Sequence, residues 1–307
     1  MILCAGEALI DMLPRVSDAG EDAFAPKAGG AVFNTAVALG RLGAPVGLFT
    51  GLSTDLFGER LAAALAESGV DASRAARSDR PTTLAFVELV GGHARYAFYD
   101  ENTAGRMLTE ADLPGDVSDV TALFFGGISL MVEPCASTYA ALMAREAATR
   151  TVMLDPNIRP GFIADEAGYR ARLDTLLGHA DIVKVSDEDL DWIMGGGDAT
   201  DQARALMERG PKIVCVTMGA QGVVAHHAAG HLHVSAPRAE VVDTVGAGDT
   251  FNAGLLAGLH EAGMLTKPGA ASPDEDALEA ALLLGVRAAA VTVARAGANP
   301  PTRAELA

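Results

Sequence analysis

The stretch Asp243-Thr244-Val245-Gly246-Ala247-Gly248-Asp249-Thr250-Phe251-Asn252-Ala253-Gly254 determines how the rest of the chain is interpreted. Residues 239–242, Ala-Glu-Val-Val, predict the end of a short strand, and apolar residues recur at helical spacing from Phe251 onwards. The stretch therefore predicts a strand, a glycine turn and a helix start. The two turn glycines allow a tight bend, which gathers free amide N–H groups and the positive end of the helix dipole at one point. An anion would bind at that point.

Asp249 is a carboxylate in the position where an anion would bind, and two interpretations fit it. As an acid at a helix N-terminus, it would satisfy free amides and complement the dipole. Alternatively, the amides of Gly246, Ala247, Gly248 and Asp249 would stabilise charge on a transferring phosphoryl group. The Asp249 side chain would then accept a proton from the attacking hydroxyl. The stretch alone does not decide between the two.

Composition excludes several classes of protein. The 307 residues are 50% apolar and 21% charged, which is enough to bury a large core in one large domain or two ordinary ones. With 23 basic and 40 acidic residues the formal charge is -17, so nucleic acid and anionic membranes are not expected partners. No apolar run approaches the roughly 18 residues that cross a bilayer, and the first residues lack a signal-peptide pattern, so we expect a cytoplasmic protein. The three cysteines are expected to be reduced core residues: Cys4, Cys135 and Cys215.

Strand and helix patterns alternate along most of the chain, which predicts an α/β fold with a parallel sheet. Strands are predicted at 2–5, 46–52, 122–126, 151–155, 181–185 and 214–217, and helices at 58–69, 134–149 and 166–178. Two segments break this alternation. Residues 12–28 are polar and contain prolines, and residues 82–99 predict a hairpin with its turn at Gly91-Gly92. Residues 195–198, Gly-Gly-Gly-Asp, predict a loop with no helix pattern close behind it.

Two signatures carry a family resemblance. The 243–254 stretch resembles the C-terminal signature of the ribokinase-like carbohydrate kinases of the phosphofructokinase B type. Their N-terminal signature, a double glycine followed by an asparagine that opens a helix, is similar to Ala28-Gly29-Gly30-Ala31-Val32-Phe33-Asn34-Thr35-Ala36. The resemblance covers essentially the whole chain. It implies one domain over residues 1–307, a three-layer α/β/α fold with a mainly parallel central sheet, and a small β-sheet lid formed by about 12–30 and 82–104.

The same resemblance implies an ATP-dependent sugar kinase with Asp249 as the general base and the amides of 246–249 as its anion hole. Asp11, expected at a strand end, would accept two sugar hydroxyls, although it could be a turn-forming residue instead. Asn34 would be a sugar ligand or only a helix cap. Gly29 and Gly30 would let the sugar approach the backbone. Phe98 would form a wall of the sugar site or simply pack.

Further resemblances concern the phosphates and the metal. Arg159, in the pattern Asp155-Pro156-Asn157-Ile158-Arg159, would clamp phosphates, with a surface salt bridge as the alternative. Ser186 and Asp189 replace the Asn-x-x-Glu motif that the family associates with Mg²⁺ and the phosphates. Their oxygens still suit Mg²⁺, and Glu188 is a rival to Asp189 as its ligand.

The nucleotide would lie along a glycine turn near the C-terminus. By resemblance, Thr217, Gly219 and Gly222 border it, although a plain β-turn explains Gly222 equally well. Asn299 is a candidate contact for the adenine. Asp243 matches a position that binds a monovalent cation, so activation by K⁺ is expected.

The sugar is expected to be neutral. Residues 4–11 and 96–104 are most similar to the bacterial fructokinases of the family. An anionic sugar would need a cationic partner, and the only basic residues between 6 and 40 lie in the polar lid segment. Arg95 and Arg106 could supply that partner, which keeps 2-keto-3-deoxygluconate kinase open beside fructokinase. Ribokinase is a further alternative.

Other classes of protein must be distinguished from a ribokinase-like sugar kinase. The chain has no GxxxxGK[ST] pattern, which excludes a P-loop kinase, and no HExxH pattern for zinc. A non-catalytic sugar-binding regulator on the kinase fold is an alternative of a different class, but it would have lost the base. A homodimer formed through the lid is a further expectation.

Overall fold

Strands and helices alternate through the part of the chain, residues 1–90 and 93–307, that the computed structural model describes. The strands are β1 (Ile2–Ala5), β2 (Leu9–Val16), β3 (Asp22–Gly29), β4 (Val46–Phe49), β5 (Gly51–Ser53), β6 (Ala76–Ser78), β7 (Leu84–Val90), β8 (His93–Tyr99), β9 (Ala122–Gly126), β10 (Thr151–Asp155), β11 (Ile182–Ser186), β12 (Ile213–Thr217), β13 (Val223–His227) and β14 (Gly230–Val234). The α-helices are α1 (Ala31–Arg41), α2 (Leu56–Glu67), α3 (Cys135–Glu146), α4 (Glu166–His179), α5 (Asp187–Met194), α6 (Ala199–Met207), α7 (Ala247–Glu261), α8 (Lys267–Ala271) and α9 (Glu275–Val293).

The central sheet has the strand order β14-β13-β12-β11-β10-β9-β1-β4. It is parallel from β4 to β12, and only β13 and β14 at one edge are antiparallel. Strands β1, β9 and β10 are buried along their whole length, because an apolar core lies against each face of the sheet. The predicted three-layer α/β/α fold with a mainly parallel sheet is confirmed. No helix in the described residues is long and apolar enough to span a membrane.

One predicted strand is divided between two sheets. Residues 46–52 form β4 in the central sheet and then β5, which pairs with β6 in a separate two-stranded sheet. A Cβ atom at Gly51 would overlap the carbonyl oxygen of Ala104. This glycine therefore allows the close backbone approach at which the chain leaves the central sheet.

A second sheet, which we call the lid sheet, has the order β3-β2-β7-β8. Its strands fall in the two predicted lid segments, except that β2 already begins at Leu9. Asp11 therefore lies inside a lid strand, paired with Lys27, and not at the end of a central strand as expected. The predicted glycine turn at Gly91-Gly92 lies outside the described residues.

The segment before α7 differs from its prediction. Residues 239–242 do not form the expected strand, and Val241 and Val242 are 63% and 61% exposed. The amides of Val242 and Asp243 both donate to the carbonyl oxygen of Val293, at the end of α9. Val241 and Val242 therefore belong to a segment that is hydrogen-bonded to the end of α9 and not to a neighbouring strand.

Helix α7 packs against α9 at glycines. A Cβ atom at Gly254 would lie 2.5 Å from the Cα atom of Gly285, and one at Gly258 would lie 2.6 Å from the Cα atom of Ala281. The two helix backbones are therefore in direct contact, and larger residues would separate them. This contact fixes the position of α7 and of the turn that precedes it.

The glycine run at 195–197 is a loop, as predicted, but a helix follows it at once. Asp198 accepts hydrogen bonds from the amides of Thr200 and Asp201 and so caps α6. The expectation of no helix close behind the loop was wrong, because Asp198 is an N-cap residue.

Candidate active site

Two cavities meet at the start of α7. One, called the polar cavity, has a volume of about 280 Å³ and is lined by Glu7, Leu9, Asp11, Gly30, Ala31, Asn34, Tyr96, Phe98, Gly127, Ile128, Asn157, Arg159, Lys184, Thr244, Val245, Gly246, Gly248 and Asp249. The other, called the apolar cavity, has a volume of about 550 Å³ and is lined by Thr217, Gly219, Ala220, Gly222, Ala236, Pro237, Arg238, Ala239, Val241, Thr244, Ala247, Gly248, Phe251, Val286, Ala289, Ala290 and Val293. Thr244 and Gly248 line both, so the glycine turn forms their common wall.

Asp249 lies in the first turn of α7, after Gly246, whose φ of 78° is the left-handed conformation that favours glycine. The aspartate is buried, and burial raises its pKa to about 7. Its carboxylate accepts a hydrogen bond from Asn34 Nδ2 at 2.9 Å, and among the described residues no amide of α7 donates to it. The side chain of Asp249 therefore does not cap α7.

Asn34 is not a helix cap. Helix α1 begins at Ala31 with Gly30 as its N-cap, and Asn34 lies one turn further on, where it lines the polar cavity. The neighbouring Thr35 hydroxyl donates to the backbone oxygen of Asp249 at 3.2 Å. Two hydrogen bonds therefore hold α1 against the first turn of α7.

Asp11 reaches the polar cavity from the lid sheet, and burial raises its pKa to about 6. A Cβ atom at Gly29 would overlap Asp11 Oδ2, so Gly29 provides room for this carboxylate and does not itself line the cavity. Gly30, with a φ of 105°, does line it. The expected direct sugar contact at Gly29 is therefore not supported.

Phe98 lines the polar cavity and packs on Phe162, with the ring centroids 4.7 Å apart. It therefore meets both descriptions, a cavity wall and a packing residue. Tyr96, two residues earlier on the same strand, stacks on it at 5.9 Å and lines the same cavity. Tyr96 was not expected there.

Glu7 is a cavity residue that the motifs did not indicate. Its carboxylate accepts hydrogen bonds from the amides of Ala31 at 2.9 Å and Ser129 at 3.2 Å, and burial raises its pKa. It thus connects the start of α1 to the loop after β9. The available signal was an acid within an apolar N-terminal segment, but the segment gives no indication of its partners.

Arg159 lies in the polar cavity, where its guanidinium donates to the carbonyl oxygen of Ile158 at 2.9 Å. Within the described residues it has no salt bridge and its side chain donates to the backbone oxygens of Asn157 and Ile158, which removes the alternative given for it. Asn157 lines the cavity beside it. Its φ of 44° and the hydrogen bond from its amide to Asp155 Oδ1 give the loop after β10 its sharp turn.

A buried charged cluster lies behind the glycine turn. Lys184 on β11 places its Nζ 3.1 Å from Asp155 Oδ2, and the same oxygen accepts a 2.7 Å hydrogen bond from Asn252 Nδ2 on α7. Lys184 lines the polar cavity, although its sequence context suggested no role for it. The cluster joins two central strands to the helix that carries Asp249.

Of the predicted nucleotide residues, Thr217, Gly219 and Gly222 line the apolar cavity, and Asn299 does not. Asn299 is exposed, lies in a different cavity that contains Asp243, and accepts a hydrogen bond from Arg41 at 2.8 Å. Asn299 therefore lies apart from the other predicted nucleotide residues, and the expected adenine contact stays a prediction.

Ser186 and Asp189 form a capping box at the start of α5. The Ser186 hydroxyl accepts from the Asp189 amide, and the two Asp189 carboxylate oxygens accept from the amides of Ile158 and Ser186. Neither residue lines the polar or the apolar cavity. These oxygens stabilise a helix end and the loop that carries Arg159, and the expected phosphate and Mg²⁺ contacts at Ser186 and Asp189 stay predictions.

Asp243 also binds backbone amides. Its oxygens accept from Val245 at 3.0 Å and from Gly297 at 2.8 Å, which joins the glycine turn to the segment after α9. Among the described residues, no group of three or more His, Cys, Asp or Glu side chains is placed to hold a metal ion.

Comparison with known proteins identifies the class of this fold and site. The model of the pfkB family carbohydrate kinases matches residues 1–305. The chain is 55% identical over 278 residues to a fructokinase of Rhizobium leguminosarum bv. trifolii, which covers 91% of this chain and 85% of that protein. The chain belongs to the pfkB family of carbohydrate kinases, and the resemblance inferred from its two signatures is confirmed.

Solved structures agree with this assignment. A fructokinase from Xylella fastidiosa with bound ATP has a TM-score of 0.89 at 30% identity, over 99% of this chain and 96% of that one. A fructokinase double mutant from Vibrio cholerae O395, in a form with fructose, ADP and a potassium ion, has a TM-score of 0.87 at 25% identity and the same coverage. The relatives from Rhizobium, Xylella and Vibrio are thus all fructokinases.

Proposed function

We propose that this protein is a fructokinase, which transfers the γ-phosphoryl group of ATP to D-fructose and forms fructose 6-phosphate and ADP. The observation that carries the proposal is the buried carboxylate of Asp249 beside the wall shared by the polar and apolar cavities. The relative at 55% identity, a fructokinase, supports the choice of sugar. A non-catalytic sugar-binding regulator would not need such a base.

Asp249 acts as the general base. The sugar oxygen forms a bond to the γ-phosphorus, its proton passes to the Asp249 carboxylate, and the bond between the γ-phosphorus and the leaving ADP oxygen breaks. A pKa raised by burial to about 7 makes the carboxylate a stronger base than an ordinary aspartate while leaving it substantially ionised near neutral pH. Such a base contributes about 10²- to 10⁴-fold to the rate.

The glycine turn and Arg159 stabilise the transferring charge. The amides of Gly246, Ala247, Gly248 and Asp249 stand at the N-terminus of α7, where the helix dipole favours an anion; that of Ala247 also donates to the carbonyl oxygen of Thr244 at 3.3 Å. Arg159 adds a guanidinium from a different part of the chain, the loop after β10. Phosphoryl transfer is mainly a matter of positioning and charge stabilisation, which these groups supply.

The polar cavity holds the sugar, with Asp11, Gly30 and Asn34 as its hydroxyl partners and Phe98 as an apolar wall. Three acids, Glu7, Asp11 and Asp249, line this cavity against two cations, Arg159 and Lys184, and this excess of acids disfavours an anionic sugar such as ketodeoxygluconate. Arg106, a conceivable carboxylate partner, is paired with Asp100 at 3.0 Å. The side chain of Arg95, the other candidate, lies outside the described residues.

The apolar cavity holds the nucleotide base along Thr217, Gly219 and Gly222, so that the phosphates reach the glycine turn. Mg²⁺ would be held chiefly by the phosphates and water, since this ion keeps several waters and needs few protein ligands. Of the acids in its segment, the exposed Glu188 is the proposed protein ligand, since both oxygens of Asp189 already accept backbone amides. K⁺ would bind near Asp243, beside the loop that this residue joins to Gly297. Because ATP is the phosphoryl donor, the proposed location is the cytoplasm.

The lid sheet joins two copies of the chain. Phe86 lies between Phe24 and Tyr99, with ring centroids 5.0 Å and 5.4 Å away, and the two outer rings are 48% and 62% exposed. An exposed aromatic patch of this kind is typical of an interface. Light scattering should give the mass of a dimer for the wild type and of a monomer for Phe24→Lys. A monomeric wild type would contradict this part of the proposal.

The test of function is a coupled assay with saturating Mg-ATP. Fructose should give a kcat/KM at least about tenfold above ribose, ketodeoxygluconate, fructose 1-phosphate and fructose 6-phosphate, a difference of about 1.4 kcal/mol. If one of these sugars outranks fructose, the substrate is wrong and the kinase assignment stands. Sugar binding without turnover of any sugar would instead favour the regulator.

A further inference from the structure

We propose that Lys184 is a catalytic residue, which donates hydrogen bonds to the transferring phosphoryl group beside the glycine turn. The inference rests on the proposed kinase reaction and adds a cation to it. Lys184 is 5% exposed, and the little surface it retains belongs to the polar cavity that Asp249 also lines. A buried lysine that still reaches a cavity is costly to maintain unless its charge is used or paired.

The ammonium group lies against the anion hole. A Cβ atom at Gly248 would be 3.0 Å from Lys184 Nζ, so the ammonium group lies close to the backbone of this glycine. An anion held by the amide of Gly248 would therefore be next to the lysine. The positive charge of Lys184 also acts to lower the pKa of Asp249, the base of the reaction.

The hydrogen bonding of Lys184 leaves donors available. An ammonium group has three N–H donors. Within the described part of the chain, its one hydrogen bond goes to Asp155 at 3.1 Å. Asn252 donates to the same Asp155 oxygen at 2.7 Å, which fixes the carboxylate and hence the lysine. Two donors therefore remain for a ligand in the cavity.

The charge of Lys184 persists in this environment. Burial acts to lower the pKa of the lysine, but the carboxylates of Asp155 and Asp189 outweigh it and raise the pKa above its ordinary value. The side chain is thus a cation at neutral pH. Asp155 balances it in the resting site, so the pair can meet an incoming anion without leaving an isolated buried charge.

Lys184 takes part in the chemical step without gaining or losing a proton. The sugar oxygen bonds to the γ-phosphorus, the electron pair of the breaking bond passes to the ADP oxygen, and the sugar proton goes to Asp249. Lys184 keeps all its protons and only stabilises negative charge on the phosphoryl oxygens, where a fixed donor has most effect.

The test compares two variants. Lys184→Met should lose at least about 100-fold in kcat, with the fructose KM changed by less than about threefold. The double variant Lys184→Met/Asp155→Asn removes both charges and so avoids an unpaired buried carboxylate. It should stay equally slow if Lys184 acts on the phosphoryl group. If the lysine only neutralises Asp155, the double variant should regain most of the wild-type kcat, and the proposal is overturned.

A binding measurement separates a phosphoryl contact from a structural effect. By calorimetry, Lys184→Met should bind the non-hydrolysable ATP analogue AMP-PNP at least about tenfold more weakly and ADP within about twofold of wild type. Equal weakening of both nucleotides, or of neither, would refute the contact. This readout needs no turnover, so it tests Lys184 even if fructose proves not to be the substrate.

Lys267→Met is the matched control. Lys267 also pairs with a buried aspartate, Asp181, at 2.6 Å, but it lines neither the polar nor the apolar cavity. This variant should keep wild-type kcat and the wild-type ratio of AMP-PNP to ADP affinity. A loss of kcat as large as in Lys184→Met would show that breaking any such pair is enough, and would overturn the proposal.

Discussion

The side-chain nitrogen of Asn34 lies 2.9 Å from a carboxylate oxygen of Asp249, although 215 residues separate the two in the chain. The contact joins α1, which follows the double glycine, to the first turn of α7. The two signatures visible in the sequence therefore meet at one hydrogen bond. Because Asn34 favours the ionised form, it lowers a pKa that burial raises, and so it would help to set the strength of the proposed base.

The first prediction concerns Asp249→Asn, which keeps the shape of the side chain and removes its basicity. It should lose at least about 100-fold in kcat while binding ADP within about twofold of wild type, because only the proton acceptor is lost. A coupled assay and calorimetry measure the two quantities. Asp187→Asn, at an exposed acid on α5, should be unaffected. A kcat above a tenth of the wild-type value for Asp249→Asn would refute the assignment of the base.

The second prediction is a pH profile. Since Asp249 must be ionised to accept a proton and burial raises its pKa to about 7, kcat/KM for the sugar should fall as pH drops below about 7. Asn34→Ala removes a contact that lowers this pKa, so its acid limb should move to higher pH. A wild-type profile that is flat from pH 6 to 8, or an acid limb that moves to lower pH in Asn34→Ala, would contradict the role of Asp249.

The third prediction links the base to stability. The pKa of Asp249 is about 7 when folded and near 3.8 when unfolded, so the folded state binds more protons between these values. Its stabilising contribution is therefore complete below pH 3.8 and is lost as pH rises through about 7. At pH 8, Asp249→Asn should have a Tm at least about 2 °C above wild type.

The same comparison at pH 5 provides the control for that stability difference. At pH 5 the wild-type carboxyl is largely protonated in the folded state, so the Tm difference should shrink. Differential scanning calorimetry measures both values. A difference that grows as pH falls would show that the buried charge of Asp249 is not its origin.

The fourth prediction concerns Gly29→Ala. The added methyl group would overlap Asp11 Oδ2, the mobile end of a side chain, so the carboxylate should move while the fold remains. The fructose KM should rise at least about tenfold, with the ATP KM nearly unchanged. Gly115→Ala is the control, since a methyl group there meets nothing within 4 Å. Equal fructose KM values for the two variants would show that Asp11 does not bind the sugar.

The fifth prediction concerns K⁺. Asp243 holds the glycine turn to Gly297 through backbone amides, and a cation bound beside this loop would fix the anion hole. At constant ionic strength, K⁺ should raise kcat about fivefold or more over tetramethylammonium, and Asp243→Ala should abolish this difference. Equal rates in the two salts for the wild type would remove the monovalent cation site.

Local patterns predicted much of the fold. The positions of β1, β9 and β10 follow from short apolar runs, and the glycine turn before α7 follows from its glycines. The strand predicted at 239–242 was wrong because Val241 lines the apolar cavity. A residue that lines an apolar cavity has the same apolar character as one buried in a strand.

Site residues that depend on contacts between distant segments could not be predicted. The pairing of Lys184 with Asp155 requires β10 and β11 to be neighbours in a particular register, which neither strand's sequence specifies. Glu7 likewise finds its partners at Ala31 and Ser129 only in the folded chain. Asp189 is different: Ser-x-x-Asp before an apolar run is a readable capping box, and the family motif at this position obscured it.

The contact between α7 and α9 at Gly254 and Gly285 has a consequence for how this enzyme can change by mutation. Neither glycine lines the two cavities, yet a single methyl group at Gly254 would push apart the helix that carries Asp249 and the helix behind it. A new sugar specificity can therefore arise from substitutions in the lid sheet and in the walls of the polar cavity, where side chains border open space. Gly254 and Gly285, at the contact between the two helices, should remain glycines whichever substrate is selected.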